Sequence, residues 1–248
     1  MIYFISDLHL SPQTPGAVAI LERFLAGIAQ PENQLFILGD FFEAWVGDDS
    51  TNDPVVDGSF NRKIVALLAK ASASGLKIGL QHGNRDFLLG ERFAKATGLN
   101  LLPDPYVLST PEWQFVLSHG DTLCTDDTAY QAFRSQVRTP EWQALFLAKP
   151  LNERLAIARQ MREHSSQQHQ KNAEKSQYSA DLNISETDDF LRQHGYATFI
   201  HGHTHQPAIH DHIVDGIHVE RWVLADWHED CGEALCWDGE HLFRQVLR

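Results

Sequence analysis

Apolar residues along this chain fall in short dense runs separated by stripes of wider spacing. Ile2–Ile5, Leu35–Leu38, Ile78–Leu80, Phe115–Leu117 and Thr198–Ile200 are brief and mostly rich in Ile, Val, Leu or Phe, as buried strands are. Between the first two, Val18, Leu21, Phe24, Leu25 and Ile28 recur at helical spacing, and Ile64, Leu67 and Leu68 repeat that stripe ahead of the third. Strand alternating with helix predicts a layered α/β fold. From about Asp126 to Lys175 the rhythm changes. Tyr130, Phe133, Val137, Trp142, Leu145, Phe146, Leu151 and Leu155 sit at helical spacings around Pro140 and Pro150. They predict two or three short helices, inserted as a cap over residues 126–175 of a single domain, 1–248. Ser165–Lys175, polar and rich in Gln, reads as a mobile loop. After His205, Val219–Leu224, Ala234–Trp237 and Leu242–Val246 predict a second, antiparallel sheet region, with Asp238-Gly239 as a tight turn. No internal repeat is present.

Composition narrows the class. A chain of 248 residues, 43% hydrophobic and 21% charged, has room for a complete folded enzyme. No apolar stretch approaches the ~20 residues needed to span a bilayer, and Met1 runs straight into a strand, so the expected site of action is the cytoplasm. Three cysteines, Cys124, Cys231 and Cys236, lack zinc-ligand spacing and suit a reducing compartment, as inert packing. The net charge of −13 repels nucleic acid, which is therefore not an expected partner. That charge is uneven: residues 134–175 carry eight basic against four acidic side chains, +4 net, leaving −17 elsewhere.

The five runs share a further property, because each ends in residues that bind metals: Asp7-Leu8-His9, Gly39-Asp40, Gly83-Asn84-Arg85-Asp86, Ser118-His119-Gly120 and Gly202-His203-Thr204-His205. Open α/β sheets bind ligands at the carboxyl ends of their strands, so these residues are expected to meet along one edge. On an extended backbone, Asp7 with His9 and His203 with His205 would point to one side, each pair gripping one site. Neighbouring glycines permit sharp turns there. Seven candidate ligands, Asp7, His9, Asp40, Asn84, His119, His203 and His205, are too many for one cation. Two divalent cations sharing Asp40 would have four protein ligands each and positions open for water and substrate. Carboxylate, imidazole and amide donors without thiolate suit Mn, Fe, Zn or Co above Ca, and among these Mn(II) is our expectation. His82 and His201 lie one step out of phase and read as packing or supporting residues, and His164 and His169 as solvated. Asp86 and Asp121 could orient neighbouring ligands or merely cap turns. Trp227 and His228 suggest no role.

The ordered DxH, GD, GNRD, H and GHTH series resembles the calcineurin-like metallophosphoesterase superfamily, which implies a layered α/β sandwich with a helical cap insertion. The segments Ile37–Asp49, His82–Gly90 and His119–Asp127 further resemble the UDP-2,3-diacylglucosamine hydrolase family, pyrophosphatases of lipid A biosynthesis, over nearly the whole chain. The resemblance implies one cation on Asp7, His9, Asp40 and His205, and another on Asp40, Asn84, His119 and His203. It also implies cleavage of a UDP-linked diacylated glucosamine lipid to UMP and 2,3-diacylglucosamine 1-phosphate. Asp40, Asn84, Arg85 and His119 would be catalytic, with Arg85 taking up charge on the phosphoryl oxygens. Substrate contacts are implied at Asn84, Arg85, Asp127, Ser165, Asn172, Lys175 and His203. The stretch after Ser165 is a few residues longer than the family pattern, so either Ser165 or Ser166 fills that position. Trp142, Leu145, Phe146, Leu147 and Leu151 beside Lys149, Arg154, Arg159 and Arg162 suit an anionic membrane surface, placing the chain, expected to be a monomer, peripherally on the cytoplasmic face of the inner membrane. The apolar, basic cap speaks against the competing substrates, which are a dinucleoside polyphosphate, a cyclic nucleotide and a phosphoprotein. The complete ligand set speaks against a non-catalytic scaffold.

Overall fold

The computed structural model describes residues 1–52, 56–173 and 181–248, the side chains of residues 56, 57 and 163–173 excepted. Its elements, in chain order, are β1 (Ile2–Ile5), α1 (Pro15–Ile28), β2 (Gln34–Leu38), α2 (Val56–Ala73), β3 (Lys77–Gln81), α3 (Glu91–Thr97), β4 (Asn100–Leu101), β5 (Tyr106–Ser109) and β6 (Gln114–Ser118). There follow α4 (Thr128–Val137), α5 (Pro140–Leu147), α6 (Leu151–Ala173), α7 (Ile184–Gln193), β7 (Thr198–His201), β8 (Ile209–Val214), β9 (Ile217–Val223), β10 (Gly232–Trp237) and β11 (Leu242–Leu247).

Two sheets stack face to face, ordered β11-β10-β1-β2-β3-β4 and β5-β6-β7-β9-β8. Strand alternation explains the continuous apolar runs. Ile2 and Phe4 of β1 point between the sheets, where they meet Phe36, Leu38, Phe115, Leu117 and Ile200. Tyr3 and Ile5 point the other way, into Leu21, Phe24 and Leu25 of α1. A strand buried on both faces has no polar face to show. A third apolar layer packs Val116 and Phe199 against Leu191 of α7. The result is helix, sheet, sheet, helix. β1, β2 and β3 run parallel in one sheet and β6 and β7 in the other, so the chain leaves all five strands in comparable fashion to form a common set of loops.

The structure alters three expectations. The strands after β7 do not form a region of their own: β8 and β9 complete one sheet, while β10 and β11 extend the other beside β1. Antiparallel pairing joins β8 to β9 and β10 to both β1 and β11, but β9 lies parallel to β7. The supposed loop from Ser165 is helical through Ala173 within the 23-residue α6. Its Gln, Glu, Lys and Arg residues are polar but unbranched and, with its alanines, favour a helix that no Gly or Pro breaks. Residues 174 and 175 lie outside those described. Finally, the turn pairs on the β1 and β7 sides are not extended, as the site geometry makes plain.

Two short helices and one long one therefore occupy residues 128–173. Thr139 caps α5 through its hydroxyl, which accepts from the Trp142 amide, and Pro140 takes the first helical position. Trp142 stacks on Phe146 with ring centres 4.8 Å apart. Arg154, 2% exposed, ties α6 to the body of the fold. Its guanidinium grips the Asp49 carboxylate and donates to the Val46 carbonyl.

Candidate metal centre

The ligand-bearing turns are built on unusual backbone. Asp7, His9, Asp40, His203 and His205 all have positive φ, between 46° and 67°, and among the described residues only Tyr196 and Asp215 share this without being glycine. Left-handed backbone costs a non-glycine residue of order 1 kcal/mol. Five such residues at one sheet edge point to function, since no turn needs so many. Because Asp7 and His9 lie beyond the end of β1, the extended-chain reading does not apply to either pair. Asp7 and His9 do converge, with Asp7 Oδ1 3.9 Å from His9 Nε2. His203 and His205 separate: His205 Nε2 lies 3.2 Å from Asp7 Oδ1, whereas His203 Nδ1 lies 3.0 Å from Asn84 Oδ1.

Backbone hydrogen bonds lock the loops together. The Asp7 and His9 amides donate to the Gly39 and Asp40 carbonyls, the Gly202 amide to the His119 carbonyl, and the Trp227 amide to the Asp7 carbonyl. Asp86, fully buried, accepts from the amides of Gly83, Phe41 and Phe42 at 2.9, 2.8 and 3.3 Å. It clasps the loop after β2 to the loop after β3, so it does more than cap its own turn. Gly83 must be glycine, because a Cβ there would sit 2.1 Å from Asp40 Oδ1.

Two donor groups result, centred on Asp7 and Asp40. His9 Nε2 and His205 Nε2 face each other at 3.3 Å beside Asp7 Oδ1, an arrangement a shared cation satisfies well. On the other side, His119 Nε2 and His203 Nδ1 both lie 3.0 Å from Asn84 Oδ1, and Asp40 Oδ1 is 3.7 Å from His119 Nε2. His119 Nδ1 donates to the Leu38 carbonyl at 2.8 Å, which fixes the tautomer and leaves Nε2 with its lone pair toward the site. Donors within 4.8 Å of one another form the triads Asp7, His9, His205 and Asp7, Asp40, His119. The residues fit divalent cations in donor type, convergence and tautomer.

The electrostatics show what is missing without positive charge at the centre. Burial pushes Asp40 up to about 6 even though His119 and His9 oppose it. Burial works against the His119 imidazolium, yet Asp40, Asp7 and Asp121 hold it up at about 9. Burial also acts to raise Asp7, but the hydrogen bond from His205 and the nearby imidazoles keep it well below the usual carboxylate range. His203 is pushed down to about 4 by burial and then by His119. Carboxylates and imidazoles are thus competing for protons that cations would replace.

Arg85 stands at the rim. Its amide donates to Asp40 Oδ1 at 2.8 Å, and its guanidinium is 3.7 Å from Glu43. Glu43 had no assigned role in the sequence, yet its other oxygen lies 3.1 Å from His9 Nδ1, and Arg162 of α6 also pairs with it. Its place three residues after Asp40 was the available signal. Asp226, 3.5 Å from His205 Nδ1, had none. Trp227 beside it supplies the amide that holds Asp7. Asp121 accepts from Tyr130 Oη at 2.5 Å and Arg134 Nε at 2.7 Å, and the Tyr130 ring stacks on His203 with centres 6.1 Å apart. Asp127 caps α4, accepting from the Tyr130 amide. His82 bonds the Leu89 carbonyl at 2.7 Å and stays outside the donor groups. Ser165 and Asn172 lie on α6, but their side chains, like those of Ser166, His164 and His169, are outside the described residues, as is Lys175.

Comparison with known proteins places this geometry in context. The calcineurin-like phosphoesterase profile matches residues 1–207. A UDP-2,3-diacylglucosamine hydrolase of Aromatoleum aromaticum is 46% identical over 236 residues, 95% of this chain and 92% of the relative. One from Aeromonas hydrophila is 45% identical over 98% of this chain and 97% of its own length. A third, from Escherichia coli, is 44% identical over 92% of this chain and 91% of its own.

Proposed function

Because the chain belongs to the calcineurin-like phosphoesterases and, within them, to the UDP-2,3-diacylglucosamine hydrolase family, we propose that it hydrolyses the pyrophosphate bond of UDP-2,3-diacylglucosamine to UMP and 2,3-diacylglucosamine 1-phosphate. It is a metal-dependent hydrolase of lipid A synthesis. The observation that carries the proposal is the pair of donor groups around Asp7 and Asp40, on backbone strained into place at one sheet edge.

Asp7, His9, Asp40 and His205 would hold one divalent cation, and Asp40, Asn84, His119 and His203 the other, with Mn(II) the expected ion. Two such cations supply a nucleophile from water at neutral pH and neutralise phosphoryl charge. The protein's part is placement. Asp40 would serve both cations, its Oδ1 accepting from the Arg85 amide. His119 keeps its proton on Nδ1, against Leu38. The Arg85 guanidinium, at the rim beside Glu43, would offer a planar, permanently charged fork to the phosphoryl oxygens. Water adds to the uridine-linked phosphorus, the bridging P–O bond breaks, and the lipid leaves as its phosphate.

The helices α4–α6 would act as a cap inserted in a single domain. Asp127, Ser165, Asn172 and Lys175 would contact the substrate from there. Leu145, 73% exposed, and Leu147, 41% exposed, support docking on a membrane surface, where the chain would act as a monomer on the cytoplasmic face of the inner membrane. No described helix is long and apolar enough to cross a membrane.

The deciding experiment strips the protein of metal, restores Mn(II), and compares UDP-2,3-diacylglucosamine in detergent micelles with UDP-N-acetylglucosamine and an aryl phosphate. Rapid UMP release from the acylated substrate alone supports the proposal, whereas turnover of the aryl phosphate alone rejects the substrate. In oxygen-18 water, label found in the lipid phosphate instead of UMP would reverse the assigned point of attack.

A further inference from the structure

One polar network beside the site plays no part in the chemistry above, and two side chains at its centre are buried, where polar groups are costly. His201 ends β7 fully buried, and Arg221 of β9 is 4% exposed. The His201 Nδ1 lies 2.8 Å from the Gly202 carbonyl, and its Nε2 lies 3.1 Å from Arg221 Nη1. A guanidinium only donates, so Nε2 accepts and Nδ1 carries the proton that holds Gly202. Arg221 is itself held by both oxygens of Asp181, each at 2.8 Å. Its Nε donates to His212 Nε2 at 3.3 Å, and His212 Nδ1 in turn reaches Asp188 at 2.8 Å. Every member therefore has one allowed hydrogen-bond direction.

The position of this network gives it a use. Gly202 is the residue between β7 and His203, and it is pressed against the other loops. A Cβ there would lie 2.1 Å from Ser6 Oγ and 2.2 Å from Asp7 Oδ2. The His201 ring also backs Gly120, whose Cβ position is 2.9 Å from His201 Nδ1. One imidazole thus supports the turn after His119 and the turn that leads into His203, the two histidines that face Asn84. At the far end, Asp181 is two residues before Asn183, which bonds Leu123 through its amide and Asp126 through its side chain. These are the residues where the chain enters and leaves the helical stretch.

We propose that Arg221 is a positioning residue for the cation group formed by Asp40, Asn84, His119 and His203. Through His201 it sets the Gly202 carbonyl and the left-handed turn at His203; through Asp181 it ties that turn to the base of the helices. The group at Asp7, His9 and His205 rests mainly on Glu43 and Asp226, and meets the turn at His203 through one bond, from the His203 amide to Asp7 Oδ2 at 2.9 Å. The inference rests on the two-cation reading of the site.

The test titrates metal-free protein with Mn(II) by electron paramagnetic resonance, together with melting temperatures of the metal-free forms. In Arg221→Met one of two cations should weaken about 10- to 100-fold, as when a supporting group is lost, and the other should weaken clearly less. Arg221→Lys should recover part of the loss, and Asp181→Asn, a milder change if Arg221→Met fails to fold, should weaken the same cation less. Combined with Asn84→Ala, Arg221→Met should add nothing further; combined with His205→Ala, the losses should add. At limiting Mn(II) kcat should fall with KM unchanged. Equal weakening of both cations, or a lowered melting temperature with an unaltered titration, overturns the inference. Fewer than two cations in the unaltered chain removes the two-cation reading and Arg221's role with it; two in the unaltered chain and two unchanged in Arg221→Met removes the role alone.

Discussion

The loops at the sheet edge and the helices of residues 128–173 are held in opposite ways. Asp7 and His119 are fully buried and Asp40 is 2% exposed, and their loops are laced by backbone hydrogen bonds from one strand end to the next. The helices seat Phe146 in the core with Trp142, Leu151 and Leu155 against it, and add a few long charged side chains: Arg138 to the Gly83 carbonyl, Arg154 to Asp49 and Val46, and Arg162 to Glu43. The first region tolerates strain because its surroundings over-determine it. The second packs one apolar face and leaves Leu145 and Leu147 on its surface. Sub-ångström placement belongs where chemistry occurs, and an adaptable greasy surface where a lipid is chosen.

If that division is correct, damage at the edge should abolish turnover of every phosphate substrate. Asp40→Asn should do most harm, exceeding the ~10³-fold upper range for loss of one charge-stabilising group. Arg85→Ala should cost about 10²-fold in kcat, again on both acylated and simple substrates. Steady-state kinetics on the two substrate types checks both, and a variant that spared the aryl phosphate would break the comparison. Glu43→Gln, which loosens His9, Arg85 and Arg162 together, should cost about tenfold.

Protons offer a finer probe of the edge. In the metal-free protein His119, held up at about 9, stays an imidazolium beyond its ordinary range, and Asp40, raised to about 6, stays protonated beyond its own. Both raised values favour the fold at low pH: Asp40's contribution is complete below its ordinary value and lost as pH rises through about 6. His119's is complete below 6.5 and lost as pH rises through about 9. Cations need both groups deprotonated. The melting temperature of stripped protein should therefore fall from near-neutral to alkaline pH while Mn(II) affinity climbs, with protons released on binding. Calorimetry in buffers of different ionisation enthalpy measures that release, and its absence near pH 7 would argue that His119 is already neutral.

The two regions also differ in how far the sequence revealed them. The strands β1, β2, β3, β6 and β7 were legible because burial on both faces leaves an unbroken apolar run, and the loops that follow them because few other uses account for Asp, His and Asn at five strand ends. The sharing of His203 and His205 between opposite sides was not legible from spacing, since it depends on left-handed backbone that i and i+2 counting assumes away. Glu43, Asp226 and Arg221 were hidden for another reason: each acts by touching a group distant in sequence, and a single Arg in an alternating strand looks like any edge residue. In α6 the polar tail looked like loop because polarity was weighed above helix propensity. β8 escaped because its pattern of half-exposed histidines between exposed isoleucines resembles neither a buried strand nor a clean alternation.

The smallest expected effect tests the helices themselves. Leu145 and Leu147 are among the most exposed large apolar side chains of α5, and neither belongs to the donor groups. Replacing both with Asp removes apolar contact and adds negative charge beside Lys149, which already pairs with Glu153. Losing contact for a partly covered leucine is worth about 1 kcal/mol, so KM for the acylated substrate in micelles should rise roughly fivefold. Turnover at saturation should not change, because Asp40 and Arg85 are untouched, and neither should the aryl phosphate. Vesicle flotation should show weaker association with anionic lipid in the same variant. A fall in kcat on both substrates would mean that α5 shapes the sheet edge as well as the lipid surface, and the separation between the two regions would then be one of degree.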